Sequence, residues 1–140
     1  MTGRLSNRTL EKLSPEIRRA RYDRAGLKPG VVHIGLGAFQ RAHQATVFDA
    51  LAEAGDLRWG VVGASLRSPA VRDMLVPQDC LYSVVVEEDG RRTASIVSSL
   101  LDVIVGPENP RRLIEAIASE PARLVTVTVT EKGYRLDPAS

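Results

Sequence analysis

The segment Val31-Val32-His33-Ile34-Gly35-Leu36-Gly37-Ala38-Phe39-Gln40-Arg41-Ala42-His43-Gln44 changes character twice. Its first four residues form an apolar, largely β-branched run with the length of a buried strand. Gly35-Leu36-Gly37 interrupts that run, and from Gln40 to about Glu53 the pattern is helical. Ala42, Ala45, Phe48, Leu51 and Ala52 recur at three- and four-residue spacing, and Gly55 stops the helix. A strand that turns at once into a helix leaves the first helical amides free, and glycines let the backbone come close to a pyrophosphate lying on that positive end. A tight strand-to-helix turn without a ligand is the other reading of the same residues.

Further along, Trp59-Gly60-Val61-Val62-Gly63-Ala64 reads as a second buried strand, and Ser68-Pro69 opens a short helix that Pro77 closes. Tyr82–Glu88 and Arg91–Val97 flank Asp89-Gly90, a turn suited to left-handed backbone, and predict an antiparallel hairpin serving as a flap or sheet-edge addition. Asn109-Pro110 begins a helix with Leu113, Ile114 and Ile117 on one stripe, ended by Glu120-Pro121. Leu124 to Thr130 reads as a third core strand. Upstream, a helix-compatible stretch from Ser14-Pro15-Glu16 is closed off by Pro29-Gly30. This divides the chain into a basic leader, residues 1–30, and a dinucleotide-binding domain, residues 31–140. Strands alternating with helices imply right-handed crossovers and an α/β, Rossmann-like, mostly parallel sheet with flanking helices and a hairpin insertion. Three core strands are fewer than the roughly six of a complete dinucleotide fold. The sheet is therefore expected to be incomplete, with exposed apolar surface open to self-association or a partner chain.

Composition bounds the function. A chain of 140 residues with 44% hydrophobic and 26% charged residues is one globular domain with a real core. Aromatics are only 4%, so aliphatic side chains fill that core. The lone Cys80 excludes an internal disulfide and suits a reducing cytoplasm. No apolar run has signal-peptide or membrane-helix length. Residues 1–30 hold 8 Lys/Arg against 3 Asp/Glu, whereas the whole chain carries only +2. The leader fits either a solvated, partly helical face or a phosphate-binding arm. It has one aromatic, Tyr22, so nucleic-acid binding is weakly supported.

Two positions depart from the usual dinucleotide pattern. Gln40 occupies the third glycine position, and the second strand runs into Ala64-Ser65-Leu66-Arg67-Ser68 with no acid to hold the adenosine ribose. Asp56 falls at the wrong end of that strand. Arg67 with the two serines suits either a 2′-phosphate or the wall of an adenosine pocket.

The stretch Val32 to Gln44 resembles the opening fingerprint of the mannitol dehydrogenase family, the polyol-specific long-chain dehydrogenases that include fructuronate and tagaturonate reductases. Trp59 to Arg67, Pro77-Gln78-Asp79 with Leu81-Tyr82, and Thr128 to Tyr134 resemble later blocks of the same domain in the same order. Gln40 stands where family members often have His. The resemblance, over about residues 20–138, implies an NAD-dependent oxidoreductase interconverting the secondary alcohol of a polyol or sugar acid with its ketone, with NADP left open and no metal. It also implies that the acid/base lysine and its Asn and His partners belong to a second, helical domain beyond Ser140, so turnover by this chain alone is not expected. A non-catalytic dinucleotide-binding module that docks on a partner chain is the alternative.

The cofactor-binding residues expected on this basis are Ile34, Gly35, Leu36, Gly37, Ala38, Phe39, Gln40, Arg41, His43, Ser65, Arg67 and Thr130. Arg41 in the first helical turn suits a phosphate, because a cation there opposes the dipole unless an anion is near. His43 fits a pocket role or a structural hydrogen bond equally, and His33 fits a satisfied core histidine. Glu131 is an accessory candidate near the proton path, Lys132 a loop cation rather than the acid/base, and Cys80 has nothing to make it a thiolate.

Overall fold

The computed structural model describes residues 3–129. Four short strands, β1 (Val31–Ile34), β2 (Val61–Ser65), β5 (Leu100–Val105) and β6 (Leu124–Val127), form one parallel sheet in the order β5-β2-β1-β6. Helix α1 (Ala45–Glu53), entered through a π-helical turn over Gln40–Gln44, links β1 to β2. Helix α2 (Ala70–Leu75) and a hairpin of β3 (Tyr82–Glu88) and β4 (Arg91–Val97) lie between β2 and β5, and α3 (Pro110–Ala118) leads to β6.

Three strands of this sheet carry β-branched runs because both of their faces are covered. Val31, Val61, Leu100 and Val103 pack with Leu36, Phe48, Leu75 and Cys80 in one cluster, and Trp59 stacks on Phe48 with ring centroids 6.3 Å apart. The Asn109 side chain caps α3 by accepting from the Arg112 N–H (3.0 Å), as its Asn-Pro start predicts.

The structure differs from the sequence reading in six places. Leu100–Val105 is a fourth strand of the sheet, joined to β4 by Ser98-Ser99 with no glycine or proline to mark the break. The antiparallel hairpin forms as expected but as a separate two-stranded ribbon, so of the two readings, flap and sheet-edge addition, the second does not hold. Strand β6 lies at the edge, with Leu124, Val125 and Val127 exposed, so it is not a core strand. The second strand begins at Val61, because Leu57–Trp59 forms a 3-10 turn capped by Asp56. The apolar stripe of α3 faces outward at Ile114 and Ile117, and only Leu113 is half-buried.

Finally, the stretch after Ser14 is a turn followed by extended backbone. Arg18 bridges Ser95 of β4, with its N–H on Ala94 O (3.1 Å) and its carbonyl accepting from Ile96 N–H (2.7 Å). Arg24, half-buried, closes this strap. Its guanidinium donates to the carbonyls of Ser98 (2.8 Å), Asp79 (2.6 Å) and Leu100 (2.5 Å). Tyr22 donates to Asp49 Oδ1 (2.7 Å), which also accepts from Ser98 N–H (2.9 Å).

Candidate functional site

The strand order reverses beside β1. β2 and β5 extend on one side, and β6, last in sequence, returns to the other. The carboxyl ends of strands at such a reversal form a crevice where ligands bind in open α/β sheets. A cavity of about 290 Å³ opens there, lined by His33, Phe39, Gln40, Gln44, Val127, Thr128 and Val129.

The glycine turn forms one shoulder of this crevice. The N–H groups of Gly35 (2.8 Å) and Leu36 (3.1 Å) both donate to Ala64 O, and Thr128 N–H donates to Ile34 O (3.0 Å), so the turn is tied to strands on both sides. Gly35 has φ +91°, a conformation glycine adopts without strain, and an added Cβ would lie 3.2 Å from Thr128 O. Gly37 differs: its φ is not positive, and an added Cβ would meet only Gly35 O, at 3.8 Å. The space over Gly37 is open. The chain becomes helical at Ala38, and Gly37 has no side chain with which to cap the first amides.

The sequence-derived candidates separate by position. Gly35, Gly37 and Ala38 carry the turn, Ile34 ends β1 half-buried, and Phe39 is exposed at the cavity mouth. Leu36 sends its side chain into the core against Gly63, so only its backbone faces the turn. Gln40 is 1% exposed, and neither its Oε1 nor its Nε2 has a hydrogen-bond partner among the described residues. A buried amide without a partner costs roughly 1–3 kcal/mol, so an occupant of the crevice that bonds to it is favoured. Arg41 Nη1 is likewise buried and unpartnered. The Arg41 carbonyl, released by the π-turn, accepts from Tyr82 Oη (2.8 Å). His43 is exposed and packs against Phe39, ring centroids 4.9 Å apart, outside the cavity lining. Ser65 ends β2 half-buried, and Arg67 is exposed two residues further on. Thr130, Glu131, Lys132 and Tyr134 lie outside the described residues.

His33 organises the crevice floor. It is 2% exposed; Nδ1 lies 2.7 Å from Thr126 Oγ1, and Nε2 lies 3.0 Å from Thr128 Oγ1 and 3.3 Å from Gly35 O. Thr126 Oγ1 also lies 3.3 Å from Gln44 Oε1, so one polar network joins the His33 ring to Gln44 across the crevice floor. Burial lowers the His33 pKa, and the Gly35 carbonyl opposes this in part. The reading of His33 as a satisfied core histidine holds. Sequence reasoning passed over Gln44, Thr126 and Thr128. The two-residue spacing places Thr126 of β6 and Thr128 just past its end on the same side of the chain, and His33 pairs with Thr126 in the strand register.

The comparisons with known proteins agree with this geometry. The family model described as the mannitol dehydrogenase Rossmann domain matches residues 29–139. A mannitol dehydrogenase of Saccharomyces cerevisiae is 35% identical over 133 residues, covering 93% of this chain and 26% of the relative. A polyol:NADP oxidoreductase of Gluconobacter oxydans is 33% identical over 139 residues, covering 95% and 28%. The solved ternary complex of Pseudomonas fluorescens mannitol 2-dehydrogenase with NAD and D-mannitol superposes with a TM-score of 0.90 at 35% identity, over 96% of this chain and 28% of that one. The chain thus spans about a quarter of the length of the curated relatives it matches. With the glycine turn, the strand reversal and the family match in agreement, this chain belongs to the mannitol dehydrogenase Rossmann-domain family.

Proposed function

We propose that this chain forms the nicotinamide-dinucleotide-binding part of an oxidoreductase that interconverts the secondary alcohol of a polyol or sugar acid with its ketone, of the mannitol/fructose or mannonate/fructuronate kind. The observation that carries this reading is the cavity at the strand reversal, placed beside an uncapped glycine turn that opens a helix. The residues fit such a cofactor: the space over Gly37 would hold a pyrophosphate, and the orphaned Gln40 amide and Arg41 Nη1 would find partners. When bound, the nicotinamide accepts or supplies a hydride.

On this reading the backbone from Ile34 to Ala38 cradles the pyrophosphate and Arg41 neutralises it. Phe39, Gln40 and His43 border the route toward the nicotinamide, Ser65 and Arg67 hold the adenosine end, and Thr130, three residues after Val127 in the sequence, is a further cofactor contact. Glu131 is an accessory residue in the proton path. No residue of this chain is assigned as the acid/base, so the polyol meets the cofactor only when the remaining part of a full-length relative is supplied. The printed names of the relatives include both NAD and NADP, and NAD is the cofactor of the solved complex.

The exposed Leu124, Val125 and Val127 of edge strand β6 support further protein over that side, either more of the same polypeptide or a partner chain. They also favour a second reading, a non-catalytic module docked on a partner. Among the described residues no helix is long and apolar enough to cross a membrane, and Cys80 is a free thiol, for which a reducing cytoplasm is the compartment we propose.

Titration of the purified protein with NADH and NADPH, following the nicotinamide fluorescence, tests the reading. Saturable binding that Gly37→Asp abolishes supports it. Absence of binding by a folded chain removes it. Recovery of polyol turnover on adding the remaining part of a relative separates the enzyme reading from the module reading.

A further inference from the structure

Tyr82 opens β3 and stands outside the cavity lining. The hairpin tip, residues 85–93, is exposed, but the base at Tyr82 is firmly held. Tyr82 pairs with buried Val97 in the ribbon register, and its ring packs against the core cluster. The chain leading to it is tied down as well. The Cys80 N–H donates to Leu75 O (2.9 Å), Gln78 Nε2 donates to Leu81 O (2.6 Å), and the Leu81 side chain is fully buried. A hydroxyl mounted in this way is a fixed point.

That fixed point meets the π-helical turn over Gln40–Gln44. In an α-helix the Ala45 N–H would reach Arg41 O, four residues back. Here it reaches Gln40 O, five residues back, and the Arg41 carbonyl accepts from Tyr82 Oη (2.8 Å). The extra residue turns the side chains before it by about 100° relative to α1. Gln40 lines the crevice, and Arg41 Nη1 is buried without a partner among the described residues. A buried guanidinium nitrogen without an acceptor is disfavoured, so a turn that keeps it there needs an external hold.

Two later carbonyls are also held by hydroxyls, His43 O by Thr46 Oγ1 (2.5 Å) and Ala45 O by Ser99 Oγ (2.8 Å). Both lie toward α1, whereas Tyr82 holds the residue that carries the charge. Burial pushes the Tyr82 phenol above its usual range and the Arg41 charge opposes this in part, so the hydroxyl keeps its proton and remains a donor.

We propose that Tyr82 is a positioning residue of the nucleotide site: its hydroxyl holds the carbonyl that the π-turn frees, and so fixes the place from which the Arg41 guanidinium meets an anion. This rests on the dinucleotide-binding reading given above. Tyr82 itself touches neither cofactor nor substrate; it acts through Arg41.

The experiment titrates NADH and NADPH into the purified protein and into Tyr82→Phe, Arg41→Met, the double variant, Ser99→Ala and Gly37→Asp, with thermal melts placing every titration well below unfolding. Tyr82→Phe keeps the ring and loses only the hydroxyl. The expected result is about fivefold weaker binding of both dinucleotides by Tyr82→Phe. In the Arg41→Met background the same substitution should change affinity by less than about 1.5-fold, because the group it positions is gone. Ser99→Ala removes a hydroxyl from the first carbonyl of α1. It should lower the melting temperature without weakening either dinucleotide, which sets positioning apart from a general loosening of the helix. Unchanged affinity in Tyr82→Phe, or the same loss with and without Arg41, overturns the positioning role and leaves the nucleotide site standing. A Ser99→Ala protein weakened as much as Tyr82→Phe overturns it too. Failure of both dinucleotides to bind the unaltered protein, or binding that Gly37→Asp leaves intact, overturns the site and the positioning together.

Discussion

Alanine at Gly35 and at Gly37 should have opposite consequences, although the two positions are separated only by Leu36. At Gly35 the φ of +91° lies outside the region that residues with a Cβ occupy, which costs roughly 1–3 kcal/mol. The new Cβ also presses on Thr128 O at 3.2 Å, in a residue whose own N–H is tied to Ile34 O. Lost freedom in the unfolded chain returns only about 0.4–1 kcal/mol. The net loss should be near 2 kcal/mol, or roughly 6–8 °C in Tm for a domain of this size. At Gly37 the φ is ordinary and the nearest contact is 3.8 Å, so the melting temperature should stay within about 2 °C or rise slightly. On the proposed reading the same methyl group stands where the pyrophosphate would approach, and NADH or NADPH affinity should fall at least about tenfold. Thermal melts and fluorescence titrations of both variants give the two readouts. A Gly35→Ala protein as stable as the original, or a Gly37→Ala protein that binds like it, would refute the division of labour between the two glycines.

Three further outcomes follow from the packing. The His33 ring is held neutral in the folded chain, with its pKa below the usual 6.5, so the unfolded chain binds more protons as pH falls below about 6.5 and the fold loses stability. His33→Gln should flatten that loss, by up to about 1.4 kcal/mol per pH unit, in urea titrations between about pH 5 and 8. The half-buried Asp49, with its carboxyl pKa raised by burial, acts in the opposite direction and is common to both proteins. Arg24→Met should cost about 2–3 kcal/mol in the same titrations, because the carbonyls of Ser98, Asp79 and Leu100 lose their donor, and Arg24→Lys should recover little of it, since one ammonium cannot replace the forked guanidinium. An Arg24→Met protein with unchanged stability would show the strap to be ornamental. Cys80 is buried, and its thiol is pushed up to about 11, so disulfide reagents should label it only as fast as the protein opens, with a sharp acceleration in denaturant.

What the sequence revealed was local, and what it hid was not. The glycine turn could be read because strand, turn and helix follow one another along the chain and each leaves its own pattern. Strand β5 was hidden because Ser98-Ser99 carries no glycine or proline to mark where the hairpin ends and a new strand begins. The crevice floor joins His33 to Thr126 and Thr128 across more than 90 positions, and no periodicity announces such a contact. Gln40 and Arg41 were visible as departures or charges, but that their polar atoms lie buried without partners is a property of packing alone. The basic leader looked like a solvated face, yet the Arg24 guanidinium turns inward to hold three carbonyls.

The late arrival of β6 has a consequence for how the crevice is assembled. The other three strands of the sheet can pair before the segment near Leu124 emerges from the ribosome, so the shoulder formed by the glycine turn precedes the wall that faces it. Among the described residues β6 is held by a single neighbour, and its backbone amides should be among the first in the sheet to exchange with deuterium. A nucleotide seated between β1 and β6 would act as a clamp, slowing that exchange and joining β6 to β1.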